Sequence, residues 1–135
     1  MTKLRQPLPD SMLESLARQG IDSSSLVLQV QTNINAQGKY APQWLLADAQ
    51  RLRVIDEASP EPAVLDLPMA EIEDFRSMSA VGTGHLQVKL AGVWLDVIRF
   101  SNLLKYTFSR AEKRLKQLKE GQTIQFEEED DNDPR

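Results

Sequence analysis

The sequence predicts a mainly β fold, α+β by content: a seven-stranded antiparallel barrel or sandwich, capped by a C-terminal amphipathic helix and preceded by a short N-terminal helix. Three observations predict it. Apolar residues alternate with period two in short runs between Leu26 and Phe100, the signature of half-buried strands. The breaks between the runs are short and rich in Gly and Pro, with no long helix between strands, which favours an antiparallel meander over βαβ units. After the last run the period becomes helical, with Leu104, Phe108, Ala111, Leu115 and Leu118 on one face over about four turns.

In chain order, the first element is a helix over Asp10 to Gln19. Pro9 and Asp10 mark its start, Ser11 and Glu14 have capping-box spacing, Leu13, Leu16 and Ala17 form its apolar stripe, and Gly20 ends it. The first strand covers Ser24 to Asn33, where Leu26, Leu28 and Val30 alternate with their neighbours, and Ile34 to Pro42 is a loop. Strands follow at Gln43 to Asp48, Arg51 to Asp56, Ala63 to Leu67, Glu71 to Met78, Gly84 to Leu90 and Val93 to Phe100. Their separators are Ala49-Gln50, the stretch with Pro60 and Pro62, Pro68, Gly82-Thr83-Gly84 and Ala91-Gly92. The last helix is opened by Ser101 or Asn102 and closed at Lys119 and Gly121.

Composition limits the chemistry. The 135 residues make one domain, and the absence of cysteine excludes disulfides, thiolate nucleophiles and zinc-ribbon or iron–sulfur ligation. His85, the only histidine, cannot build a multi-histidine metal site, and no cofactor is expected. The N-terminus lacks the apolar stretch of a signal peptide, and the longest apolar run, Trp44 to Ala47, is far short of a membrane span. The chain is expected to be soluble and on the cytoplasmic side.

Charge is unevenly spread. Of 20 acids and 16 bases, the run from Phe126 to Arg135 holds 6 and 1, leaving 14 and 15 for the rest. So dense an acidic run reads as a disordered tail or linker. The near-neutral body lacks the basic field that nucleic-acid binding requires. The organisation expected is an N-terminal extension over 1–22, the β domain over 23–121 and an acidic tail over 122–135.

Few residues suggest chemistry. Gly82-Thr83-Gly84 lacks P-loop spacing and reads as a turn. Glu71 and Glu73, two apart with Ile72 opposite, read as a solvated strand face, with Asp74 beside them, and nothing nearby supplies a nucleophile. His85 reads as a surface or half-buried imidazole, and Ser23, Ser24, Ser25, Ser77 and Ser79 lack a hydrolase context. Trp44 and Trp94 are expected to pack in the core or at its rim. The least ordinary feature is the second face of the last helix, where Lys105, Arg110, Lys113, Arg114, Lys116 and Lys119 have only Glu112 as a nearby acid. A solvated face is the commoner meaning of such a pattern. As an anionic-surface contact for a membrane, the candidate set is Arg99, Lys105, Arg110, Lys113 and Lys116. A further alternative is that the acidic tail folds back onto this face.

Seven strands and a C-terminal helix is also the element order of the pleckstrin-homology-like (PH-like) barrel. Three stretches, Gln43 to Asp56, Asp66 to Asn102 and Leu103 to Gly121, resemble the cytoplasmic PH-like domain that precedes the membrane region in bacterial ABC exporters with fused permease and ATPase. The first stretch also resembles the strand pair of bacterial PH-like and GRAM-like domains. The resemblance is carried by Leu67 to Arg76, by Val81, Gly82 and Gly84, and by Gly92, Trp94, Arg99, Phe100 and Ser101. It departs from the pattern at Ala47, where Thr is usual, and at Ala49-Gln50, which lengthens a turn. The resemblance implies a non-catalytic regulatory or interaction domain whose partner is the rest of the transporter polypeptide or its partner subunit, with ATP hydrolysed elsewhere in the parent. It carries no catalytic residue and no ligand. The alternative is a stand-alone PH/GRAM-like module that binds anionic phospholipid or a protein.

Overall fold

The structure is a computed structural model that describes residues 4–79 and 81–121. The acidic run expected to be a disordered tail lies outside the described residues. Helix α1 (Asp10–Arg18) is followed by β1 (Leu28–Ile34), β2 (Tyr40–Ala47), β3 (Arg51–Asp56), β4 (Leu65–Pro68), β5 (Asp74–Ser79), β6 (Thr83–Leu90), β7 (Val93–Ser101) and α2 (Lys105–Lys119). The strands form two antiparallel sheets, in the orders β1-β2-β3-β4 and β5-β6-β7. No ladder closes them into a barrel among the described residues. Where β1 and β7 come together, the Thr32 hydroxyl donates to the Arg99 carbonyl at 2.9 Å.

Between the sheets lies the larger apolar cluster. Leu28 and Val30 of β1, Leu45 and Ala47 of β2, and Leu52 and Val54 of β3 meet Phe75, Leu86, Val88, Ile98 and Phe100 of the other sheet. Helix α2 adds Phe108, Ala111 and Leu115, with Leu104 and Leu118 at the margin. The apolar stripe read from the sequence is therefore the buried face. Phe108 stacks on Phe100 at 4.4 Å between ring centroids. Gly84, the β6 residue paired with Phe100, makes room for that ring, since a Cβ there would lie 2.5 Å from it. One glycine of Gly82-Thr83-Gly84 thus supplies the left-handed turn, at φ +83°, and the other a close approach.

A second cluster covers the opposite face of the four-stranded sheet. Met12 and Leu16 of α1 pack with Leu26, Trp44, Leu46 and Ile55. This explains why β2 departs from alternation. Gln43 to Ala47 are all buried because side chains on both faces of the strand have cover. The N-terminal stretch joins the same unit. Leu4 is in the larger core, and Arg5 bridges Gln29 in parallel, with Gln29 donating to the Leu4 carbonyl and Gln6 to the Gln29 carbonyl, both at 2.8 Å.

Several boundaries differ from the sequence reading. Ser23–Ser25 form a 3-10 turn and not the start of β1, because the Asp22 carboxylate accepts from the Ser24 amide and hydroxyl. The expected strand Glu71 to Met78 is split into a 3-10 turn over Met69–Glu71 and β5 from Asp74. Neither helix uses its expected side-chain cap. The α1 N-cap is Pro9 and no side chain bonds there, while α2 is entered through a 3-10 turn at Asn102–Leu104. The lengthened Ala49-Gln50 turn is held by Asp48, whose carboxylate accepts from the amides of Gln50 and Arg51, both at 2.8 Å.

Candidate interaction surfaces

The sequence offers one charged helix face, but the neighbours of α2 divide its cations among three environments. Arg114 is buried, at 5% exposure, and its guanidinium donates to the Val27 carbonyl at 3.1 Å. Lys119 donates to the carbonyls of Met69 at 3.1 Å and Ala70 at 3.4 Å, tying the end of α2 to the turn before β5. Lys116 pairs with Glu112 at 3.0 Å one turn away. Lys105 and Lys113 are exposed and Arg110 is half-buried.

Glu112 fastens α2 to β5. One of its carboxylate oxygens accepts from the Ser77 amide at 2.7 Å and the Ser77 hydroxyl at 2.8 Å. Burial pushes its pKa up, but the Ser77 donors and Lys116 outweigh burial and hold the carboxyl below its usual range. The acid that seemed a lone neutraliser of the basic face is therefore a tether between helix and sheet.

The five candidate cations do not form one surface. Arg99, on β7, reaches the β1–β2 loop, where it donates to the Ala36 carbonyl at 3.1 Å and its guanidinium sits against Gly38. It lines a hollow of about 90 Å³ with His85, Gln43 and Asp96. Lys116 lines a second, of about 350 Å³, together with Glu73, Asp74, Lys119 and Glu120. Arg110 and Lys113 line a third, of about 230 Å³, with Leu4, Tyr106, Arg114 and Gln117. Lys105 stands at the exposed start of the helix.

The sequence reading missed the outer face of the three-stranded sheet as a unit. The cross-strand register places Arg76 beside Gln87 and Gln87 beside Asp96, with Lys89 beside Trp94. Arg76 donates to the Gln87 carbonyl oxygen and the Gln87 amide donates to Asp96, both at 2.7 Å. The Arg76 guanidinium also lies 4.1 Å from the centre of the Trp94 ring, with the Lys89 ammonium at 6.0 Å. Arg76 and Trp94, eighteen positions apart in the motif that carries the resemblance, are thus in contact. The signal that could have found them is the register of two short hairpins.

The remaining candidates have structural surroundings. Trp44 is in the core, at 3% exposure, and its indole N–H donates to Glu57 at 2.9 Å. Glu71 and Glu73 are exposed around buried Ile72, and Glu73 accepts from the Gly92 amide at 3.2 Å. His85 is half-buried on β6. Among the described residues no group of three or more His, Asp or Glu could hold a metal ion, and no helix is long and apolar enough to cross a membrane. No protein-family model matches the sequence, and a search of curated proteins finds no match.

Proposed function

We propose that this chain is a PH-like interaction domain without catalysis of its own, acting as the cytoplasmic-side regulatory module of a larger exporter. Its support is the order of elements, four strands in one sheet, three in the next and a C-terminal helix, together with the motif residues that resemble those exporters. The observation that carries the reading is the shared core. Both sheets and α2 contribute to one apolar cluster, so the interior is filled with Leu, Val and Phe and the polar groups are left to the surface. Strands and helix then serve as a rigid support for surface contacts. In the parent, ATP hydrolysis and export belong to other segments.

Sequencing the reading frame beyond Arg135 tests this directly. Membrane-spanning segments and an ATPase in frame are expected, and a stop codon directly after Arg135 overturns the exporter context. An experimental structure showing parallel strand pairing would overturn the PH-like reading itself.

A further inference from the structure

We propose that the acidic run Glu127 to Asp133 docks in the groove that Arg110, Lys113 and Arg114 line along α2. The proposal does not depend on the PH-like reading. Three hollows hold a member of the candidate cation set, and their charges differ. The hollow at Arg99 includes Asp96, and that at Lys116 includes Glu73, Asp74 and Glu120, so each carries its own counter-charge. The groove beside Leu4 and Tyr106 has three cations and no acid in its lining. It is the place on α2 where a negative segment gains most.

The tail matches that groove in charge and in reach. Glu127, Glu128, Glu129, Asp130, Asp131 and Asp133 bring six carboxylates. Helix α2 ends at Lys119, and Gly121 takes a left-handed φ of +79° with its amide bonded to the Leu118 carbonyl. Lys113 is then about 12 Å back along the helix at 1.5 Å per residue, and Arg110 about 16 Å. The stretch from Gly121 to Glu127 spans up to about 20 Å when extended, so the first acids reach both cations. Single exposed ion pairs are weak, but a tethered tail presents its charges at a high effective concentration, which multiplies them. By holding the groove, the tail competes with any other anion that approaches α2.

The full chain suits a direct test, because it has no cysteine and a single Asn132→Cys can carry a nitroxide without removing an acid. Paramagnetic broadening at low salt is expected to concentrate on the amides of residues 106–117. It is expected to be lost at 1 M salt, where the screening length is about 3 Å. It is also expected to be lost in Arg110→Glu/Lys113→Glu and restored there when the tail acids are changed to lysine. Broadening spread evenly over the surface, or unmoved by salt and charge reversal, overturns the proposal. An anionic membrane is the rival occupant. Phosphatidylserine vesicles that bind the intact chain as tightly as a chain with all six acids changed to amides also overturn it. Binding confined to the amide chain, or to neither, supports it.

Discussion

The middle of the four-stranded sheet and the whole of the three-stranded sheet show two ways of using the same strand geometry. In β2 and β3, one face meets the shared core and the other meets α1, so Trp44 and Leu46 are as buried as Leu45 and Ala47. In β5 to β7, one face meets the core and the other holds Arg76, Gln87, Lys89, Trp94 and Asp96 in side-chain contacts with one another. The two tryptophans mark the difference. Trp44 is an anchor between a helix and a sheet, whereas Trp94 is the apolar floor of a polar lattice. Stability is therefore concentrated where strands have two covers, and the singly covered sheet leaves an ordered face available for contact.

Substitution of each tryptophan is the strongest way to break the comparison. Trp44→Ala removes a buried ring and leaves Glu57 without its indole donor. A loss of about 3–5 kcal/mol is expected in urea unfolding. Equal, small losses for Trp44→Ala and Trp94→Ala would show that the second cluster does not anchor the sheet.

The Glu112 tether sharpens the comparison at the junction of α2 with the three-stranded sheet. At neutral pH Glu112→Gln is expected to cost about 1–2 kcal/mol, because hydrogen bonds to a charged acceptor become bonds to a neutral one. The folded carboxyl binds its proton less readily than the unfolded one, so its contribution is full above the ordinary glutamate range near ~4.3. It is lost as pH falls through the lowered folded value. Unfolding midpoints of wild type and Glu112→Gln should therefore converge on acidification, and a constant gap from pH 7 to pH 3 would refute the tether.

The smallest effect belongs to the outer face. Trp94→Ala should cost less than about 1 kcal/mol, the range of a partly exposed cation–π contact, and should leave the fold intact by amide shifts.

Much of this was legible because local rules and tertiary cover agree. The bounds of β3 at Arg51 and Asp56 match the reading, since the strand alternates and Asp48 folds the turn before it. The α2 stripe of Leu104, Phe108, Ala111, Leu115 and Leu118 is the face that packs. The β6–β7 turn at Ala91-Gly92 is also where it was expected, with both residues at positive φ, +49° and +80°. What was hidden depends on partners distant in sequence. No periodicity reveals that Arg114 meets Val27, that Lys119 meets Met69, or that Glu112 meets Ser77. A six-cation face was thus divided by three contacts, and only its Arg110–Lys113 flank stays a coherent basic groove. The Ser23–Ser25 turn was missed for a related reason, the Asp22 side chain competing with strand pairing for the backbone.

The bond from the Ser77 amide to Glu112 has a second consequence, for what the molecule can join. β5 is an edge of its sheet, and an edge amide left open is a template on which another strand can add. At Ser77 a carboxylate occupies that template. The other edges are blunted by different means: β4 is only 4 residues long and ends at Pro68, a register shift in β7 leaves Val97 without a β6 partner, and Leu4 to Gln6 lie along the start of β1. With its borders closed to further strands, the domain is built to meet other molecules through side chains, and a partner that recognises it must read a surface and not extend a sheet.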